Sequence, residues 1–161
     1  MLHYSSMATN IQKASAIHHD PTLISLADQK KNLLVSIEAE SASKEIFLAR
    51  RTESQDKLNT LTQEYLAASA AFESRIAEVL AANEGNGNHV AAMAVNDDAE
   101  VVRLADKVKQ KGEEITRESP NISRFTTIIS ESDSAATSLT AELALLDSQI
   151  AAQIQAVLDA L

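Results

Sequence analysis

Apolar and polar positions alternate along the chain with a period that belongs to helices in contact. Leu26, Lys30, Leu33, Ile37, Glu40, Lys44, Phe47, Arg51, Ser54, Leu58, Leu61, Tyr65, Ala68 and Phe72 follow one another at intervals of four and three residues, and Ile76, Val79 and Asn83 resume the pattern after one slip. That alternation averages about 3.5 residues, the repeat of a coiled-coil seam. The seam is apolar at both ends and polar from Glu40 to Ser54. Asp20 before Pro21 reads as a helix start, because Asp accepts from free first-turn N–H groups and Pro lacks an N–H that would go unpaired there. No Pro or Gly interrupts residues 22 to 84, so the pattern predicts a helix over 21–83, roughly 90 Å long at 1.5 Å per residue. A rod of that length needs a partner helix to hold it.

The partner is expected in the same chain. "EGNGNHVAAMAVNDD" holds two of the three glycines and is read as a tip loop over 84–96. Asn96 or Asp97 then caps a helix over 97–118, in which Val101, Ala105, Val108, Gly112 and Ile115 carry the repeat. Ser119 before Pro120 predicts a kink at 119–120, since proline disfavours helix in the preceding residue. Over 120–161 the seam continues through Ile122, Phe125, Ile129, Ser132, Ala136, Leu139, Leu143, Leu146 and Ile150, and after a stutter through Ile154, Val157 and Leu161.

The two arms have nearly equal length, so the fold expected is all-α: an elongated antiparallel helical hairpin, or coiled coil, forming a single domain over 21–161 behind a disordered tail over 1–20. Residue i would face roughly residue 180 − i. This register sets Arg50, Arg51 and Lys57 opposite the region of Glu131 and Asp133, where opposite charges would fix alignment. The alternative is a three- or four-helix bundle with a full turn at Pro120.

Composition narrows the function classes. The 161 residues include five aromatics, three Gly, two Pro and no Cys, a balance that favours helix and excludes disulfides and thiolate sites. The formal charge is −9, and no Lys or Arg follows Arg124, which argues against a nucleic-acid partner. No apolar run approaches the ~20 residues of a membrane span. The N-terminus has no secretory signal pattern, so a cytoplasmic location is favoured, with secretion lacking a cleaved signal as the other option.

Candidate chemistry is sparse. His18, His19 and Asp20 are adjacent ligand types, but no Glu-x-x-His pair accompanies them, and helical metal sites need that spacing on facing helices. "GNGNHV" lacks the Lys-Ser/Thr ending and the preceding strand of a phosphate loop. Arg103, Lys107 and Lys111 form a stripe among a majority of acids, which reads as a solvated helix face. No catalytic residue, metal site or cofactor is therefore assigned. The terminal stretch "SESDSAATSLTAELALLDSQIAAQIQAVLDAL" combines a continuous seam with no cation and with small, weakly charged outer faces that permit close contact with further helices. The function expected is that of a non-enzymatic structural or assembly protein, presenting helical surface to itself as a homo-oligomer or to a helical protein partner. Arg50, Arg51, Lys57, Glu131, Asp133, Leu139, Leu143, Leu146, Ile150, Ile154 and Val157 are its candidate interaction and register residues. The alternative is a secreted or surface-assembled helical subunit of a bacterial secretion apparatus, which shares this composition.

Overall fold

The computed structural model describes residues 8–161, and among them all regular structure is helical: α1 (Asn10–His19), α2 (Pro21–Ala82), α3 (Asn88–Asp97) and α4 (Ala99–Asp159). The long helices α2 and α4 pack against each other as an all-α helical hairpin. Every seam position read in the first arm, from Leu26 to Asn83, is buried or half-buried. The same holds in the second arm from Ile122 to Val157.

Several boundaries differ from the sequence reading. Residues 10–19, expected within a tail, form α1. Thr9 and Gln12 make a reciprocal capping box, with Gln12 N–H donating to Thr9 Oγ1 (3.1 Å) and Thr9 N–H donating to Gln12 Oε1 (2.8 Å). His18 and His19 occupy its last turn, where imidazoles meet the negative end of the helix dipole. The first seven residues of the expected tail lie outside the described residues.

The reversal is tighter than the expected loop over 84–96. Asn83–Gly87 makes the turn, with Gly85 at φ 87° and Gly87 at φ 92°, left-handed values that favour glycine. The Ala-rich stretch after it forms α3. The cap of the next helix is Asp98 rather than Asn96 or Asp97, because its carboxylate accepts from Val101 N–H at 3.0 Å.

α4 runs as one helix through Pro120, so the second arm is not divided into two helices there, and the bundle with a full turn at that point is excluded. Pro120 is exposed, so the Thr116 carbonyl that loses its donor is not sealed from water, while the flanking Glu118, Asn121 and Ile122 sit on the packed side. One missing backbone bond does not outweigh seam contacts on both sides of it. Two further corrections concern the seam itself. Leu104 is buried in place of the expected Ala105, and Leu161 is exposed.

Contacts divide the molecule into two units. The first joins the chain up to Ile46 to Ile128–Leu161, and its buried apolar residues are Leu23, Ile129 and Leu146. The second spans Phe47–Thr127 and is built on Leu61, Ala68, Val79, Val101 and Leu104. Each consists of a short helix, an Asp junction, the start of one long helix and the end of the other.

Candidate functional site

The polar chemistry of each unit lies along its α2–α4 contact. In the first unit, Lys30 Nζ meets Asp147 Oδ1 at 2.7 Å and Lys44 Nζ meets Asp133 Oδ1 at 2.6 Å. The equal-arm register sets these lysines opposite positions 150 and 136. These two pairs lie three positions off the equal-arm register, and the contacts Ser54–Glu118 and Phe47–Phe125 lie eight positions off it in the same direction. Both ion pairs are about half exposed, so they contribute little to stability; they are aligned two heptads apart and mark the register. Leu139, Leu143, Ile150, Ile154 and Val157 are half-buried and Leu146 is buried at 4% exposure, which places the candidate seam residues together on one packed stripe.

The second unit holds a polar layer. Ser54, buried, donates its hydroxyl to Glu118 Oε1 at 2.5 Å, and Lys57 Nζ lies 3.3 Å from Glu118 Oε2. The Glu118 side chain is 14% exposed. The Ser54 hydroxyl, then Asn121 and Lys57, hold its carboxyl below the usual range against the opposing effect of desolvation. Beside it opens a groove of about 350 Å³ lined by Arg50, Glu53, Ser54, Lys57, Glu118, Asn121 and Phe125. A carboxylate so held in its ionised form is suited to accepting hydrogen bonds across the seam rather than to proton exchange near neutral pH.

The register charges fall apart differently from expectation. Arg50 does not cross to α4; its guanidinium stacks over Phe47 of its own helix, 5.3 Å from the ring centroid. Arg51 Nη1 reaches Thr126 Oγ1 at 3.4 Å, and Lys57 pairs with Glu118. Asp133 pairs with Lys44, and Glu131 is exposed. The displaced register accounts for this: the cross-seam contacts lie three to eight positions off the equal-arm register, which takes Glu131 and Asp133 away from Arg50 and Lys57.

Further along the second unit, Lys111 Nζ contacts Glu64 Oε2 at 2.5 Å and Glu114 Oε2 at 3.4 Å, and the hydrogen bond that Lys111 donates to Glu64 is the largest cause that raises its pKa. Gly112 is half-buried, and a Cβ there would sit 3.6 Å from Tyr65 Cε2.

The contacts with the most elaborate geometry are not read from the sequence. Asp98 caps α4 and also receives a fork from Arg75 of α2, Nε to Oδ2 at 3.0 Å and Nη2 to Oδ1 at 2.8 Å. Arg75 first, then the Val101 N–H, lower its pKa to about 2. In the first unit Asp20 does the same work: it caps α2 through Leu23 N–H at 2.9 Å and receives Gln153 Nε2 of α4 at 3.2 Å.

The likeness of the two junctions is general. Asp20 has φ −68°, ψ 120° and Asp98 has φ −69°, ψ 120°; each follows a ten-residue helix and donates its N–H three residues back, to Ile17 and Val95, at 3.4 Å. Asp20 and Asp98 are 78 positions apart, and the same offset, without a gap, matches "DPTLISLADQKK" to "DAEVVRLADKVK". It also pairs Phe47 with Phe125, Ser54 with Ser132, Leu61 with Leu139, Ile76 with Ile154 and Val79 with Val157. Burial follows the offset: Leu23 and Val101 are buried, as are Ala68 and Leu146, while Ile24 and Val102 are 51% and 52% exposed. Residues 10–83 and 88–161 are thus two copies of one structural repeat. A self-comparison at fixed offset carries this signal; a reading of seam periodicity does not.

No protein-family model, curated protein or solved structure matches the chain.

Proposed function

We propose that this protein is a non-enzymatic structural or assembly component that works by presenting helical surface to another polypeptide. The observation that carries this reading is the unburied apolar surface on both long helices. Each spends one stripe on the seam, and Ile24, Leu34, Val35, Ile46, Leu66, Val102 and Leu145 remain at least 47% exposed on other faces. Covering one such side chain stabilises by about 1 kcal/mol, half of the ~1.5–3 kcal/mol for complete burial, so even a few of them supply a meaningful association energy. The outer side of α4 between Ser134 and Ala156, centred on Leu145 and without Lys or Arg, adds a surface on which a further helix packs closely. The small residues Ser138, Ala141, Ser148 and Ala152 keep the approach short.

The test is site-specific photo-cross-linking at positions 35 and 145 in the cells that make the protein. The reading expects covalent products of higher mass that disappear, with helical content retained, when the probe at 35 is combined with Ile24→Glu and Ile46→Glu and the probe at 145 with Ala141→Glu and Ser148→Glu. Uncross-linked protein at both positions over a range of expression levels would sink it.

A further inference from the structure

The two repeats meet as identical partners meet. Phe47 and Phe125, counterparts in the repeat, pack on each other with ring centroids 5.9 Å apart. Arg75 of the first repeat reaches Asp98 of the second, and at the corresponding positions Gln153 of the second reaches Asp20 of the first. Ser54 bonds Glu118, and their counterparts Ser132 and Glu40 are buried and half-buried. Contacts in which i meets j and j meets i are the signature of an isologous interface between two copies of one module.

The first unit also shows what that interface requires. In the second unit the end of α2 is joined to the following short helix by the Asn83–Gly87 turn. In the first unit the end of α4 packs by the corresponding Gln153–Asp20 contact on a junction to which no turn connects it. The module therefore pairs with its like without a covalent link at that end.

We propose that a second copy of this chain is a binding partner, engaged by exchange of arms: the Asn83–Gly87 turn opens, and α1–α2 of each copy packs on α3–α4 of the other through the same seam. This goes beyond the assembly reading, because exchange re-forms the seam and leaves the exposed outer faces on which that reading rests as they are. Every contact between the arms, including Lys44–Asp133, re-forms between copies, so the closed and exchanged forms differ mainly at the hinge, where the two glycines with positive φ sit. Short hinges that hold a reversal are where such exchange originates. Replacing Gly85 and Gly87 by residues with a Cβ penalises the left-handed turn and favours opening.

The test uses full-length chains, one pool with natural nitrogen and one with heavy nitrogen, mixed equally, unfolded and refolded together at rising concentration. A carbodiimide joins Lys44 to Asp133 as an amide, and mass spectrometry sorts the linked peptides by label. The wild type is expected to give mixed-label links in a dimer fraction that grows with concentration. Gly85→Ala with Gly87→Ala should reach about half mixed links, the proportion random pairing of two equal pools requires, at concentrations where the wild type remains unmixed. A flexible five-residue insertion after Gly85 should suppress them, and this arm remains decisive if the double alanine variant fails to fold. Links of one label only, in the wild type and in every variant that folds, would overturn the exchange. A dimer whose links are all unmixed would also overturn it while leaving the assembly reading intact, since copies would then associate as closed hairpins.

Discussion

Gly112 lies inside α4 with no left-handed backbone to justify it, and its replacement tests how closely the seam is packed. A glycine in a helix interior is less favourable than alanine by about 0.8–1.0 kcal/mol, through the freedom it has in the unfolded chain. At Gly112 the added Cβ would lie 3.6 Å from Tyr65 Cε2, which is ordinary van der Waals contact. No packing penalty offsets the backbone gain, so Gly112→Ala should raise stability by about 0.5–1 kcal/mol. Urea unfolding followed by circular dichroism measures this as a shift of the midpoint at unchanged slope. A larger side chain meets the ring: Gly112→Leu should destabilise by about 1–3 kcal/mol, the usual range for overpacking. The other copy of the repeat has Leu34 and Leu143 at the positions of Gly112 and Tyr65, with Leu34 47% exposed, so a leucine beside a shorter side chain turns toward solvent there instead of meeting a ring. Combining Gly112→Leu with Tyr65→Leu should recover most of the loss, and the double-mutant cycle reads the coupling directly. If Gly112→Ala destabilises by as much as about 1 kcal/mol, or the cycle shows additivity, the argument that ring size and glycine complement each other is wrong.

Three further outcomes follow from the geometry. Leu146→Ala should cost about 2–3 kcal/mol, the lower part of the core range, because a single seam leaves room to collapse; Leu145→Ala next to it, 63% exposed, should stay within about 0.5 kcal/mol in the same denaturant assay. Asp98 has its pKa lowered from 3.8 to about 2, so its contribution to stability is complete above pH 4 and is lost as pH falls from 4 through 2. Asp98→Asn should flatten that part of the stability profile and leave its slope at neutral pH unchanged, as urea midpoints at stepped pH would reveal. Thr9→Ala removes the capping box of α1 and should weaken that helix by about 1 kcal/mol, seen as faster amide exchange confined to residues 10–19 with the global midpoint unmoved.

How much of the fold is legible in the sequence depends on which interactions decide each element. The seam is encoded by many residues at one period, so spacing alone puts Leu26 to Phe72 and Ile122 to Ile150 on the packed face. The register depends on single pairings such as Lys44 with Asp133, and arm length fixes it only to within about two turns. Pro120 misleads because local proline chemistry says nothing of the seam contacts at Glu118 and Ile122 that hold the helix through it. The short helices α1 and α3 escape the pattern for a different reason. Each is only ten residues, too short for periodicity to register, and each is fixed by terminal detail: the Thr9–Gln12 box at one and the Asp98 junction after the other. Asp20 is recognisable as a cap, whereas its second role as acceptor for Gln153 requires knowledge of which residues meet across the hairpin.

The pair of junctions at Asp20 and Asp98 gives the molecule a built-in control. The same turn occurs twice at nearly the same dihedral angles, once with arginine and once with glutamine as the opposing group. A single spectroscopic sample therefore compares a charged clamp with a neutral one under identical solvent, temperature and concentration. A substitution at one junction leaves its twin in place as the reference, so each experiment on this chain carries its own unperturbed replicate.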